Sequence, residues 1–176
     1  MKHLWAPWRM AYLVGERPPG CVLCEKLADD GDGADQSNYI VHRGEHAFVI
    51  LNLYPYSNGH LMVVPYRHVP SLESLEDEEL LDLMGTVNLG IAALRNSMSP
   101  DGFNIGVNLG RAAGAGIESH VHVHVVPRWH GDTSFMPILA DTRVVPESLA
   151  DTASRLRQAI EGILAGAGRG GAQADG

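Results

Sequence analysis

Three histidines alternate with valines in the run SHVHVHVVPRW, residues 119–129: His120, His122 and His124 against Val121, Val123 and Val125. Period two is the strand period, and β-branched valine favours a strand. Successive strand side chains point to opposite faces, so the valines enter a core and the imidazoles share the other face, about 7 Å apart from one to the next. Pro127 then ends regular pairing or marks an edge. Neutral imidazole is a good nucleophile near pH 7 when one ring nitrogen is free and an acceptor holds the other. Phosphorus suits it as an electrophile, because phosphoramidates form and break readily. The glycine-rich run NLGRAAGAG, residues 108–116, leads towards the histidines and can offer backbone amides to phosphate oxygens.

A second chemistry is metal binding. Cys21 and Cys24 form a C-x-x-C pair at zinc spacing, which is half of a site. His68 and His120 are the candidates for the other half. A redox pair and two free thiols stay open as alternatives, though no parallel βαβ pattern surrounds the cysteines. A catalytic zinc held by all three histidines fits poorly. Successive same-face positions on one strand lie too far apart to converge on one ion with bonds of about 2.0–2.1 Å.

These side chains need a rigid frame. Residues 39–55 read as two strands with a turn at Arg43-Gly44-Glu45. Asn58-Gly59 is turn chemistry, and a strand follows in HLMVVPYRHV. Residues 71–98 carry leucines at helical spacing, weakened by Gly85 and Gly90, and residues 102–110 return to strand. Residues 145–166 read as a second helix, with Glu147 in its first turn and a stripe of Leu149, Leu156, Ile160, Ile163 and Leu164. The expected fold is α+β, an antiparallel sheet of about five strands with one long helix and a C-terminal helix. Residues 1–20, with Trp5, Trp8 and Tyr12, are expected to pack on a single domain spanning 21–166. Residues 28–38 read as a mobile polar loop and 167–176 as a disordered tail.

Composition bounds the function. A chain of 176 residues, 45% hydrophobic, supports one core. A net charge of −8 argues against a general nucleic-acid binder but not against a small anionic ligand. No apolar run reaches the roughly 20 residues of a membrane span, and the N-terminus is no secretory segment. The expected location is the cytoplasm. His42 and His46 read as surface residues, His60 as a hydrogen-bonded structural histidine, His130 as a neighbour of the site's mouth and Trp129 as packing. Arg9 and Arg128 read as solvated by default.

HVHVHVV resembles the motif of the histidine triad (HIT) superfamily. FNIGVNLG resembles that superfamily's Asn-x-Gly segment, and LNLYPYSNGHLMVVPYRH its strand–turn–strand with Gly-His and Pro-x-x-His elements. LWAPWRMAYL and PRWHGDTSFMPI look closer to a bacterial branch that includes diadenosine tetraphosphate phosphorylases. The resemblance implies a small HIT-like α+β fold, a homodimer with a continuous sheet, and attack by His122 on the α-phosphorus of a nucleotide or dinucleoside polyphosphate. It places His124 beside that ring or a phosphate, Asn108 on the phosphate chain, Asn52 on the ribose, and Phe48, Ile50 and Leu51 around the base. It implies a structural Zn2+ on Cys21, Cys24, His68 and His120, while Mg2+ can accompany the substrate. Many members carry Ala-Gly-Gln-(Ser/Thr) before the triad. Here the loop reads AAGAGIES, which leaves the amides of Ala115 and Gly116 and the Ser119 hydroxyl as donors. That counts against one alternative, a purine nucleoside phosphoramidase, and suits the phosphorylase-like branch; the missing Gln favours the other alternative, a nucleotide-binding sensor or scaffold, whereas the intact histidines favour catalysis.

Overall fold

The computed structural model describes residues 20–132 and 147–170. Five strands form one antiparallel sheet: β1 (Ile40–Arg43), β2 (Ala47–Leu51), β3 (Leu61–Pro65), β4 (Gly102–Val107) and β5 (Val123–Arg128), in the order β1-β2-β3-β5-β4. Four helices accompany them: α1 (Val22–Ala28), α2 (Ala34–Asn38), α3 (Asp77–Met98) and α4 (Leu149–Gly170). The expected architecture is present, with two short helices added.

The sheet is covered on both faces, which is why β2 and β3 are apolar throughout rather than alternating. On one face Val49, Leu51, Leu61, Val63 and the three valines Val121, Val123 and Val125 meet Leu83, Val87 and Leu94 of α3 and Leu156 and Ile160 of α4. On the other, Phe48, Ile50, Met62 and Val64 meet Leu23 of α1. At buried Gly90 α3 lies against β3, where a Cβ would make ordinary contact with Leu61 at 3.4 Å.

Several expectations shift. The long helix begins at Asp77, not residue 71, because the Glu79 carboxylate reaches back to the Glu76 amide at 2.8 Å and starts the helix there. The segment before it holds a 3-10 turn, Leu72–Ser74. Glu147 precedes α4 instead of joining its first turn, because Ser148 caps the helix by accepting the Asp151 amide at 3.1 Å. Leu164 leaves the apolar stripe and is exposed. The helix also runs on to Gly170, into the stretch expected to be a tail. Within 28–38, residues 34–38 form α2 and are tied down. Asp35 pairs with Arg43 at 2.7 Å, and its carbonyl accepts from Arg157 at 2.9 Å. Asn38 donates to Asp29 at 2.7 Å and accepts from Lys26 at 3.1 Å. The N-terminal aromatic segment, Arg9, residues 133–146 and 171–176 lie outside the described residues.

The β2–β3 connection ends in a tight turn. Gly59 has φ +76°, and a Cβ there would stand 2.8 Å from both Leu94 and Met98 on α3. A Gly59→Ala variant combines left-handed strain with overpacking and is expected to lose about 1–3 kcal/mol of stability. Urea unfolding measures this, and an unchanged midpoint would contradict the close approach.

Candidate active site

The strand of histidines is shorter than its sequence pattern. β5 begins at Val123, so His120 and His122 lie on an extended lead-in tied to the body by the Val121 amide, which donates to the Val69 carbonyl at 2.7 Å. Alternation nevertheless holds, with all three valines in the helix-facing core. Pairing of β5 with β3 ends at Val125, before Pro127, while pairing with the edge strand β4 continues to Arg128. Leaving the lead-in outside the ladder frees the His120 carbonyl for a side chain.

That carbonyl receives the Nδ1–H of His122 at 2.8 Å. A carbonyl can only accept, so Nδ1 carries the ring proton and Nε2 keeps the lone pair. His120 itself donates from Nε2 to the Pro65 carbonyl at 2.9 Å, which leaves its Nδ1 as the lone-pair nitrogen. His60 accepts the Tyr56 amide on Nδ1 at 3.1 Å, so its Nε2–H donates to His124 Nδ1 at 3.0 Å. The His124 proton then sits on Nε2. Four imidazoles receive four fixed tautomers from main-chain partners and from one another. The rings of His122 and His124 stand edge to face at 4.8 Å, and those of His124 and His60 are tilted by 51° at 5.2 Å.

Burial keeps three members of this row neutral. His120 and His122 are held below the usual histidine range by desolvation, and His60 is pushed down to about 3 by burial and then by His124 and His122. The His122 lone pair is therefore available at neutral pH.

The His120 lone-pair nitrogen looks into a second cluster. Its Nδ1 lies 3.4 Å from the sulfurs of both Cys21 and Cys24, and His68 Nδ1 lies 3.2 Å from Cys24. One ligand atom from each of the four residues falls within 4.8 Å of the others. A tetrahedral ion with bonds of about 2.0–2.3 Å spaces its ligands by about 3.3–3.8 Å, so the donor set and the spacing fit zinc. Burial and the adjacent Cys21 push the Cys24 thiol up to about 11, which a bound divalent cation would reverse by taking the thiolate.

The expected nucleotide-contacting residues divide. Register pairs Gly106 with His124 and Val107 with Val123, so the chain leaves β4 into Asn108 at the end of the sheet where His122 enters β5. Asn52, at the end of β2, accepts the Tyr54 amide at 2.9 Å and approaches His60 at 3.4 Å. Ser119 is exposed beside the triad. Ala115 departs from expectation, because its amide already donates to the Gly110 carbonyl at 3.3 Å and closes the loop; Gly116 follows it. Leu51 turns to the helix-facing core and cannot meet a base on the histidine face. Phe48 and Ile50 do share that face but are fully buried, packed with Leu23, Leu27 and Ile117.

Among the other histidines, His42 is half-buried rather than on the surface, with a pKa lowered by burial. His46 is half-buried and its amide is held by Asp82 at 2.8 Å. His130 is exposed and pairs with Asp101 at 2.9 Å. Trp129 donates to the Met98 carbonyl at 3.3 Å, and Arg128 is engaged by Asp132 at 2.6 Å and Asn104 at 2.8 Å. His60 is hydrogen-bonded as expected, but the sequence reading missed its place in the ring row. The signal was its parity with Met62, which pairs with His124.

The HIT domain pattern matches residues 34–131. The chain is 42% identical over 157 residues to the AP-4-A phosphorylase of Mycobacterium tuberculosis, covering 86% of this chain and 80% of that one. It is 36% identical over 95 residues to the asymmetrical bis(5'-nucleosyl)-tetraphosphatase of Schizosaccharomyces pombe, covering 54% and 52%. Among solved structures, a zinc-bound histidine triad family protein from Mycobacterium smegmatis superimposes with a TM-score of 0.67 at 28% identity, over 84% of this chain and 97% of that one.

The lowered His60 pKa has a consequence for stability. Between about 3 and the ordinary histidine value of 6.5, the unfolded chain takes up a proton that the folded chain refuses. Stability must therefore fall as pH drops through that window and stay level in this respect above it. In His60→Gln the acid limb of a stability-against-pH curve should be shallower, by at most about 1.4 kcal/mol per pH unit. An identical slope in both proteins would refute the buried neutral imidazole.

Proposed function

The chain belongs to the HIT domain family, and on that premise we propose that it cleaves dinucleoside polyphosphates such as diadenosine tetraphosphate at the α-phosphorus. The observation that carries the reading is the tautomer of His122, whose free Nε2 is backed by a hydrogen bond at 2.8 Å to the His120 carbonyl. In the first step Nε2 bonds to the α-phosphorus, and the bond from that phosphorus to the bridging oxygen breaks. The electron pair leaves with the departing nucleoside polyphosphate. The ring gains positive charge as the bond forms, and the His120 carbonyl faces the proton that carries part of it. His124, its Nε2–H set by His60, is the donor assigned to a phosphate oxygen. Asn108, Ser119 and the Gly116 amide are assigned to the phosphate chain, and Asn52 to the ribose. In the second step water or inorganic phosphate attacks the same phosphorus, and the nitrogen–phosphorus bond breaks.

Cys21, Cys24, His68 and His120 would hold a zinc ion with all four positions filled by protein, a structural arrangement without an open site for water. Such an ion supplies rigidity rather than Lewis acidity. It fixes the His120 ring, and through its carbonyl the pose of His122. Metal content should disappear in His120→Ala and persist in His122→Ala. Loss in both variants would instead point to a metal shared by the triad.

A homodimer is the assembly we assign. Among the described residues β4 pairs only with β5, and Ile105 on it is 48% exposed. Leu81 and Met84 on α3 are 77% and 49% exposed. No helix among the described residues is long and apolar enough to cross a membrane.

Turnover of diadenosine tetraphosphate, with and without inorganic phosphate, tests the reaction. ADP plus ATP formed only with phosphate would identify a phosphorylase, and AMP plus ATP without it a hydrolase. Either activity should fall at least about a thousandfold in His122→Ala, by the usual weight of a lost nucleophile. No product under either condition would sink the assignment.

A further inference from the structure

Apolar surface for a nucleobase is absent where the sequence suggested it and present nearby. Phe48 and Ile50 are 0% and 2% exposed, and Leu51 faces the helices. A base could reach none of them without opening the core. The connection from β2 to β3, by contrast, carries Tyr54 at 60% exposure and Tyr56 at 38%. Two partly exposed aromatic rings two residues apart on one short loop offer faces on which a planar ligand can stack.

Tyr56 adjoins the row of histidines, and the backbone of Tyr54 is tied to Asn52. Tyr56 stacks on His60 at 4.8 Å between centroids and stands 6.3 Å from the ring of His124, which is itself 4.8 Å from His122. The loop is also braced. Its amides at Tyr54 and Tyr56 donate to Asn52 at 2.9 Å and His60 at 3.1 Å. Ser57 donates to the Pro127 carbonyl at 2.7 Å, and Asn58 donates to Glu147, ahead of α4, at 3.3 Å. A braced aromatic surface loses little entropy on stacking a planar ligand.

We propose that Tyr54 and Tyr56 form the stacking surface for a nucleobase of the substrate, next to the ribose position at Asn52. This rests on the nucleotide reading above and extends it to residues that set base recognition. A dinucleoside polyphosphate offers two sources of the same chemistry, the base of the nucleotide transferred to His122 and the base of the group that leaves. Tyr54 is the better probe, since Tyr56 also backs His60 and its removal would disturb the ring row.

The test is calorimetric binding to His122→Ala and to the same protein with Tyr54→Ser, using AMP, ribose 5-phosphate and diadenosine tetraphosphate. Tyr54→Ser should weaken nucleotide binding about tenfold, the typical loss of one stacked base, and leave ribose 5-phosphate unchanged. Tyr54→Trp should restore it. Weakening of both nucleotides assigns the rings to the transferred base, and weakening of diadenosine tetraphosphate alone assigns them to the leaving side. Unchanged affinity for both nucleotides, equal weakening of ribose 5-phosphate, or no nucleotide binding before the tyrosine is changed would overturn the proposal. If the wild-type protein binds AMP through Tyr54 yet never turns over diadenosine tetraphosphate, the reaction falls and the base surface stands.

Discussion

The hydrogen bond from His122 Nδ1 to the carbonyl of His120, at 2.8 Å, is the point on which the rest of the site depends. It fixes which nitrogen of the nucleophile is bare, and it makes one residue answer to two demands. The His120 ring faces Cys21, Cys24 and His68 on one side and is pinned to Pro65 on the other, while its main chain holds His122. Any displacement of His120 reaches the bare nitrogen of His122 through one peptide unit. The cluster of Cys21, Cys24, His68 and His120 and the His122 ring are therefore parts of one rigid object.

The sheet supplies that rigidity through opposed burial. Valines on one side of residues 121–125 are locked between α3 and α4, so the histidines on the other side inherit their direction from packing they do not share. The second histidine pair is held by a different route. His60 is positioned by the β2–β3 loop, and the loop is braced by Asn58 against Glu147, which in turn accepts from buried Thr152 at 2.8 Å. The N-terminal turn of α4 thus supports a ring on the opposite face of the sheet. Buried neutral imidazole is costly at low pH, and the structure accepts that cost to keep His60, His120 and His122 uncharged at neutral pH.

Legibility in the sequence followed the range of the interaction. Val121, Val123 and Val125 announced their face by alternation, and Cys21 and Cys24 announced a metal site by spacing, because both signals are local. What needed the third dimension was hidden. Leu51 looked equivalent to Ile50 until strand parity separated them, and Phe48 looked accessible until α1 covered it. The polar run 28–38 read as mobile because one of its anchors, Arg157, is distant in sequence, and the pairing of the other, Arg43 with Asp35, forms only once the chain has folded back. Ala115 was read as a phosphate donor from loop composition, whereas its amide is used by Gly110 within the same loop. The Pro65 carbonyl carries no side-chain signal at all, yet it decides the tautomer of His120.

The lead-in to β5 also limits how this chain can change over generations. Because faces alternate residue by residue, losing or gaining one residue between His120 and Val125 would turn part of the valine set towards the metal and imidazoles into the helical core. The core packing and the row of imidazoles would be lost together. The loop from Gly110 to Glu118 carries no such parity. It can lengthen or shorten around its short 3-10 turn while the strand after it keeps its register. A change of length is thereby tolerated in the loop before the histidines and resisted in the segment that carries them.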